Sequence, residues 1–366
     1  MIAIIYGTRP ELIKLFPIII ALKKSKIPHS VINTGQHREL VEDIIKRLKI
    51  KNDFDLKIFK KKQSLNLSIS KILFKLSQLF LSLKPDLIIV QGDTLSTYAS
   101  TIAAFNSKIK IAHVEAGLRT GNFNSPFPEE MYRTIVSRLA DFHFCPTKLN
   151  LNNLKKEGIN QNTFITGNTV VDAVHLISKS LNKVKLKNFF MKKYNLNFNK
   201  KIILFTCHRR ENYGSVYINI CKAIKDLSKN KNLQIVYPLH LNPNFYKLAQ
   251  DNLSKIDNIF LIPHQNYHEL LFLIKTSSLI ITDSGGIQEE APSFNKKMLV
   301  IRNTTERPEA LKKNVIELVG TNANKIVSRA INFLNNQKSI NYINPYGDGK
   351  SAKRIIKALE SYKEVC

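Results

Sequence analysis

The chain has 366 residues, 43% of them hydrophobic, enough for two domains of ordinary size with a core each. Lysine and arginine number 56 against 28 acidic residues, but the lysines are spread everywhere, whereas Arg9, Arg119, Arg133, Arg209, Arg210 and Arg307 sit in motif-like stretches. The resulting charge of +28 argues for small anionic ligands held locally and against a nucleic-acid stripe, and the greasiest run, 72–90, is too interrupted by Lys75, Lys84 and Pro85 to span a membrane.

The N-terminus runs from an apolar strand, Ile2–Ile5, straight into Gly7-Thr8-Arg9-Pro10-Glu11. That run is too short for a signal peptide and lacks a basic leader. The four cysteines (Cys145, Cys207, Cys221, Cys366) show no Cys-x-x-Cys or metal-ligand spacing. Both features read as a cytoplasmic protein with free thiols and no metal. Gly7 allows a tight strand exit and Pro10 suits the first helical position. Arg9 then stands at the mouth of the helix, placed for a phosphate oxygen, with Lys14 one turn further on the same face. An ordinary strand–turn–helix with surface bases is the plainer alternative.

Further strands are expected at Ser30–Asn33, Leu87–Val90, Lys110–His113, Asp141–Phe144 and Thr163–Ile165. Helical patterns lie near Glu11–Lys24, Glu39–Leu48, Leu67–Leu83, Ser96–Phe105, Glu129–Leu139 and Leu149–Glu157. This alternation predicts an α/β fold with a parallel, doubly wound sheet, in which ligands bind beyond the carboxyl ends of the strands. Two loops, Gln36-His37-Arg38 and Lys62-Gln63, are placed to line such a mouth. Three acids share a strand-end location: Asp93 in Gln91-Gly92-Asp93-Thr94, Glu115 in His113-Val114-Glu115, and Glu129 opening a helix after Pro128. Carboxylates gathered in one site repel one another and raise a pKa toward the range useful for proton transfer. Taken singly, helix capping by Asp93 and Glu129 and an ion pair from Glu115 to Arg119 serve equally well.

From Val170 to Asn199 a helix gives way to a Lys/Asn-rich connection, which divides a first domain, 1–168, from a second, 169–350. The last helix, 351–366, is expected to return to the first domain. Strands of the second domain are expected at Ile202–Thr206, Gln234–Tyr237, Asn258–Ile262, Leu279–Thr282, Met298–Ile301 and Val315–Leu318. Cys207-His208-Arg209-Arg210 closes the first of these, combining a histidine able to exchange a proton with two anion-binding arginines. Cys207 itself reads as core, and His240 repeats the strand-end position. After Thr282, the turn Asp283-Ser284-Gly285-Gly286 leads into a helix. It presents free backbone N–H groups at a positive helix end, suited to a phosphate. Glu289 and Glu290 are expected in the first helical turn, where a carboxylate can accept from the two hydroxyls of a ribose. Capping by Asp283 or Ser284 is the alternative, although it does not call for two glycines. Arg307 lies on the loop after the Met298–Ile301 strand.

These motifs, in this order over nearly the whole chain, resemble the bacterial non-hydrolysing UDP-N-acetylglucosamine 2-epimerases. The stretches that carry the resemblance are Gly92-Asp-Thr94, His113-Val-Glu-Ala-Gly-Leu-Arg-Thr120, Pro128-Glu-Glu130, His208-Arg-Arg-Glu-Asn212, Asp283-Ser-Gly-Gly-Ile-Gln-Glu-Glu290 and Thr305-Glu-Arg-Pro308. The resemblance implies two Rossmann-like domains of the glycosyltransferase-B type facing a cleft, a homodimer, and activity without NAD or another cofactor. It implies that Ser284, Gly285 and Gly286 hold the pyrophosphate of a UDP-sugar, Glu290 the ribose and Gln265 the uracil. Arg9, Lys14, His208 and Arg307 would meet phosphate or sugar, and Asp93, Glu115 and Glu129 would transfer protons. In some members a second substrate molecule activates the enzyme. Gln36, His37 and Arg38 match that pattern, Lys62-Gln63 replaces an Arg-Gln pair, and His240 completes the candidate activator residues. Competing expectations are a hydrolysing epimerase, which releases N-acetylmannosamine and UDP, and a glycosyltransferase of the same fold.

Overall fold

The computed structural model describes residues 1–36, 38–59, 63–336 and 343–361, the side chains of residues 38–40 and 210 excepted. The chain divides into two compact units, Met1–Ala173 with Tyr346–Cys366, and Val174–Pro345.

The first unit carries strands β1 (Ile2–Tyr6), β2 (His29–Asn33), β3 (Phe54–Asp55), β4 (Leu87–Gln91), β5 (Lys110–Val114), β6 (Phe142–Cys145) and β7 (Thr163–Ile165). They form one sheet in the order β3-β2-β1-β4-β5-β6-β7, every pairing parallel. Every residue of β1 and β4 is buried, which is why both read as unbroken apolar runs. The pattern reading missed β3, because two residues, one of them the exposed Asp55, leave no periodicity to detect.

The helix Arg9–Lys24 starts earlier than expected because Thr8 caps it. The Thr8 hydroxyl accepts from the Glu11 amide, and the Glu11 carboxylate accepts from the Thr8 amide. Pro10 therefore occupies the second helical position. The closing helix Ser351–Glu360 belongs to this unit, where the buried Asp172 carboxylate accepts from the amides of Ser351 (3.1 Å) and Ala352 (2.9 Å).

The second unit holds β8 (Lys201–Thr206), β9 (Leu233–Pro238), β10 (Ile259–Ile262), β11 (Leu279–Thr282), β12 (Met298–Val300) and β13 (Ile316–Leu318). Their order is β10-β9-β8-β11-β12-β13, again all parallel. Its core interleaves Ile203, Phe205, Ile235, Tyr237 and Ile281 with the helices Ser215–Ser228, Pro243–Leu253 and Ala323–Asn335. The Lys/Asn-rich stretch expected to be a connection is instead a helix, Lys183–Tyr194. Asn182 caps its N-terminus, and Phe190 is buried, its ring stacked 5.7 Å from that of Phe272. One capping residue and one packed aromatic outweigh the polar composition.

Both sheets are Rossmann-like. The strand order reverses between β1 and β4 in one and between β8 and β11 in the other, and ligands bind at such switch points.

Candidate functional site

In the first unit the strand ends around the switch point are tied together by Glu11. Only 1% exposed, it accepts from the amides of Gly7 (3.0 Å) and Thr8 (2.7 Å) and from the hydroxyls of Thr94 (2.7 Å) and Thr97 (2.9 Å). The loop after β1, which leads into the helix at Arg9, is thereby fixed to the loop after β4, which holds Asp93. Burial pushes the Glu11 carboxyl up, against the pull of its hydrogen bonds.

The three candidate acids take different surroundings. Asp93 forms an ion pair with Arg133. That guanidinium also donates to Glu130 (3.0 Å), whose other oxygen accepts from the amides of Thr120 and Gly121. Glu115 forms an ion pair with Lys14 and accepts from Gln91 Nε2 at 3.0 Å. Its φ is +67°, a left-handed conformation rare for a residue with a side chain; the amides of Glu115 and Ala116 hold it there by donating to the Phe144 carbonyl. Glu129 opens the helix Glu129–Leu139, and its buried Oε2 has no hydrogen-bond partner among the described residues. The structure thus replaces mutual repulsion of carboxylates with a separate cation for Asp93 and for Glu115. It also removes two plainer readings: Thr94, not Asp93, caps the helix Leu95–Asn106, and Arg119 pairs with Glu157 at 2.6 Å rather than with Glu115.

In the second unit the centre is Asp283, at 0% exposure. Its Oδ2 accepts from the amides of His208 and Arg209, both at 2.9 Å, and from Asn212 Nδ2 at 3.0 Å; Oδ1 lies 3.3 Å from His208 Nδ1. One carboxylate thus fixes the loop after β8 to the end of β11. His208 stacks on His240, ring centroids 4.9 Å apart and planes 7° from parallel. Cys207 is core, its thiol pushed well up by burial and by the charge of Asp283.

The two glycines of the turn do different work. A Cβ on Gly285 would lie 2.8 Å from Arg307 Nη1 and 2.9 Å from its Cζ, so the bare glycine lets the guanidinium lie against the turn. A Cβ on Gly286 would meet nothing nearer than Ser284 Oγ at 3.9 Å, leaving open space beside that arginine. Ser284 occupies the N-cap without a side-chain capping bond, so its hydroxyl is not spent on the helix. Contrary to expectation, Glu289 and Glu290 end the short helix Gly285–Glu290 rather than begin it, because the helix starts at the first glycine. Glu289 holds Arg307 Nε at 2.7 Å, and Glu290 is 7% exposed. Beside them Glu306 contacts Arg302, Arg307 and Arg209. Burial pushes its carboxyl up, but the Arg302 hydrogen bonds and the three positive charges prevail and bring it to about 2. Gln265 is 3% exposed; its Nε2 donates to the Pro263 carbonyl, while its buried Oε1 has no partner among the described residues.

Comparison with known proteins decides the family. The model of the family described as UDP-N-acetylglucosamine 2-epimerase matches residues 20–360. The chain belongs to the UDP-N-acetylglucosamine 2-epimerase family. UDP-N-acetylglucosamine 2-epimerases of Salmonella typhimurium and Campylobacter jejuni are 43% and 44% identical to it, over 98% of this chain and 98% and 97% of theirs. The crystal structure of UDP-GlcNAc 2-epimerase from Neisseria meningitidis bound to UDP-GlcNAc superimposes with a TM-score of 0.92 at 40% identity, covering 98% of this chain and 99% of that one. The Methanocaldococcus jannaschii enzyme in complex with UDP-GlcNAc and UDP gives 0.86 at 35% identity, covering 98% and 99%.

Within this epimerase-family chain, the structure joins Lys14 to Glu115, Asp93 to Arg133, His208 to His240 and Gly285 to Arg307. Of the candidate activator residues, Gln36 accepts from Ser96 Oγ at 2.9 Å, and Gln63 bonds Ser68 and Lys71. His37, Lys62 and the side chain of Arg38 lie outside the described residues. The sequence reading left Glu11, Asp283, Glu306 and His113 out of the candidate set. Each lies close in sequence to a chosen residue, but Glu11, Asp283 and His113 hold backbone of neighbouring loops and Glu306 holds three arginine side chains, roles that no local pattern displays.

His113 illustrates the point. It is wholly buried with Nε2 2.8 Å from the Gly92 carbonyl, so the ring must donate there, and it steadies the turn that carries Asp93. Burial lowers its pKa from 6.5 to about 3. The unfolded chain binds this proton below about pH 6.5 and the folded chain does not, so stability is complete above that pH and is lost as pH falls toward 3. His113→Gln, whose amide nitrogen reaches about as far from the backbone as the ring's Nε2, keeps a donor for Gly92 and removes the titration. Its urea-unfolding free energy is expected to fall less than that of the parent between pH 6.5 and 4.5, by up to roughly 2 kcal/mol. Equal slopes in the two proteins would refute the buried neutral ring.

Proposed function

We propose that the chain interconverts UDP-N-acetylglucosamine and UDP-N-acetylmannosamine at C2 by elimination and re-addition of UDP, without net hydrolysis and without NAD. The observation that carries this reading is the pair of carboxylates, Asp93 and Glu115, after the adjacent parallel strands β4 and β5, each facing its own cation.

The C2 proton of the sugar is not acidified by a carbonyl, so direct abstraction is unfavourable. Elimination avoids this. A carboxylate takes the C2 proton, the C–H electron pair becomes the C1–C2 double bond, and the C1–O bond breaks with its pair leaving on UDP. The intermediate is 2-acetamidoglucal. Protonation of C2 from the opposite face and return of UDP to C1 give the manno epimer. Two faces require more than one acid–base group, which Asp93, Glu115 and Glu129 supply. Positive charge on the leaving group comes from Arg9, His208 and Arg307, with the Ser284-Gly285-Gly286 turn holding the pyrophosphate. Glu290 takes the ribose. Gln265 is suited to the base, because its unpartnered buried acceptor matches the imide N–H of uracil. The relatives whose structures contain UDP-GlcNAc support the ligand. Among the described residues no helix is long and apolar enough to cross a membrane. We place the enzyme in the cytoplasm as a homodimer that supplies N-acetylmannosamine units for surface polysaccharide.

Proton NMR of UDP-N-acetylglucosamine with the enzyme in D2O tests the reading. Deuterium at C2 together with UDP-N-acetylmannosamine is the expected result. Free N-acetylmannosamine and UDP would overturn it in favour of the hydrolysing class.

A further inference from the structure

Arg302 stands just past the end of β12, and nothing in the proposed chemistry uses it. It is 6% exposed, and carboxylates engage all three of its guanidinium nitrogens. Nε donates to Glu211 Oε1 at 2.9 Å, while Nη1 and Nη2 donate to the two oxygens of Glu306 at 2.9 and 3.1 Å. This second contact is a bidentate fork, the most specific geometry open to an arginine and a carboxylate. Arg302 and Glu306 are four residues apart, but no helix joins them, because the stretch between β12 and the helix Pro308–Lys312 is irregular. The fork, rather than helical geometry, sets where the Glu306 carboxylate lies.

With its nitrogens engaged in this way, Arg302 can influence a ligand only through Glu306. That carboxylate lies between two further arginines, Oε2 3.4 Å from Arg307 Nη1 and Oε1 3.6 Å from Arg209 Nη1. Both contacts are long, since a charged N–H···O pair closes to about 2.7–2.9 Å when nothing competes. Arg307 makes its short contact elsewhere, Nε to Glu289 at 2.7 Å, and Arg209 Nε donates to the Asp283 carbonyl at 3.1 Å. Burial and the charges of Arg302 and Arg307 pull the Arg209 pKa below its ordinary value, and Glu306 opposes them. Held in the fork, Glu306 therefore offsets the repulsion among three crowded guanidiniums without taking a short hydrogen bond from Arg209 or Arg307. Released from the fork, it would close on one of them and compete with an incoming phosphate for the same donors.

We infer that Arg302 is a positioning residue for the diphosphate site: by pinning Glu306 in a fork, it keeps that carboxylate from closing on Arg307 and Arg209 in competition with the substrate. The inference rests on the reading that Arg307 meets the diphosphate of a UDP-sugar. It differs from a merely structural ion pair in the sign of one effect. Loss of Arg302 acts through Glu306, so neutralising Glu306 reverses it. Glu211, whose side chain is 54% exposed, returns to water in either case.

Calorimetric titration of UDP into the full chain tests this. Arg302→Met is expected to raise the Kd roughly ten- to thirtyfold, the worth of one hydrogen bond to a charged group lost to a competitor. Adding Glu306→Gln to it is expected to bring the Kd back to within about threefold of the parent, although the double variant removes more of the ion-pair network. Arg302→Lys keeps the charge but cannot form the fork, and a rise of about fivefold is expected. Far-UV circular dichroism reports folding. If Arg302→Met does not fold, Arg302→Lys with and without Glu306→Gln makes the same comparison. An unchanged Kd in the folded Arg302 variants overturns the inference. So does a double variant that binds UDP no better than the single one, since purely structural damage accumulates. An Arg307→Met chain that binds UDP as tightly as the parent overturns instead the reading of the diphosphate site beneath it.

Discussion

Glu115→Gln is expected to lower turnover by on the order of 10²–10⁴-fold, the usual worth of a positioned acid–base group. Glutamine preserves the side-chain length and an oxygen able to accept from Gln91, and it is no worse suited than glutamate to a backbone φ of +67°. What disappears is basicity and the negative end of the ion pair with Lys14. Lys14 is largely buried and keeps only a neutral oxygen opposite it, so a stability cost of about 1–3 kcal/mol accompanies the change. Folding and chemistry therefore need separate readouts. The variant should show native circular dichroism, retain UDP binding by calorimetry, and lose both turnover and deuterium uptake at C2. Asp93→Asn should behave similarly, with Arg133 left paired to Glu130 alone. Turnover within about threefold of the parent in both variants would remove Asp93 and Glu115 from the proton-transfer assignment.

The limits of sequence reading follow from the same residues. Strands such as β1 and β4 were legible because both faces are buried, and burial on both faces forces an unbroken apolar run. Motifs at strand ends were legible because glycine turns and clustered arginines are locally unusual. Helix phase was not. Thr8 and the Glu11 side chain start the first helix at Arg9, and Ser284 starts the later one at Gly285, so Pro10 and Glu289 each fall at a different helical position from the one expected. Long-range partners were less legible still. Nothing near Asp93 announces Arg133, forty residues away, and nothing near Glu11 announces Thr94 and Thr97. Such pairs exist because parallel strands β1, β4 and β5 end side by side, which is a property of the sheet order and not of any segment. The backbone of Glu115 is likewise set by the Phe144 carbonyl on β6.

Asp283→Ala is expected to destabilise the second unit by about 3 kcal/mol or more, because it strands several buried donors at once. The amides of His208 and Arg209 and the Asn212 side chain all donate to one carboxylate oxygen of a residue with no exposed surface, so water cannot replace it. The chain has no tryptophan, so unfolding in urea is best followed by far-UV circular dichroism, where the second unit is expected to melt first. Asp283→Asn separates holding from chemistry. An amide oxygen at the Oδ2 position keeps all three bonds, while an NH2 replaces the oxygen 3.3 Å from His208 Nδ1. Stability should then return to within about 1 kcal/mol of the parent. Turnover should stay depressed, because an N–H donor in place of the acceptor facing His208 Nδ1 no longer holds that ring in its orientation for the proposed contact with a departing diphosphate. A loss below about 0.5 kcal/mol in the alanine variant would mean that the loop after β8 is held by something other than Asp283. Full activity in the asparagine variant would mean that the Asp283 Oδ1 contact with His208 contributes nothing to turnover, and that Asp283 serves only to hold the loop after β8.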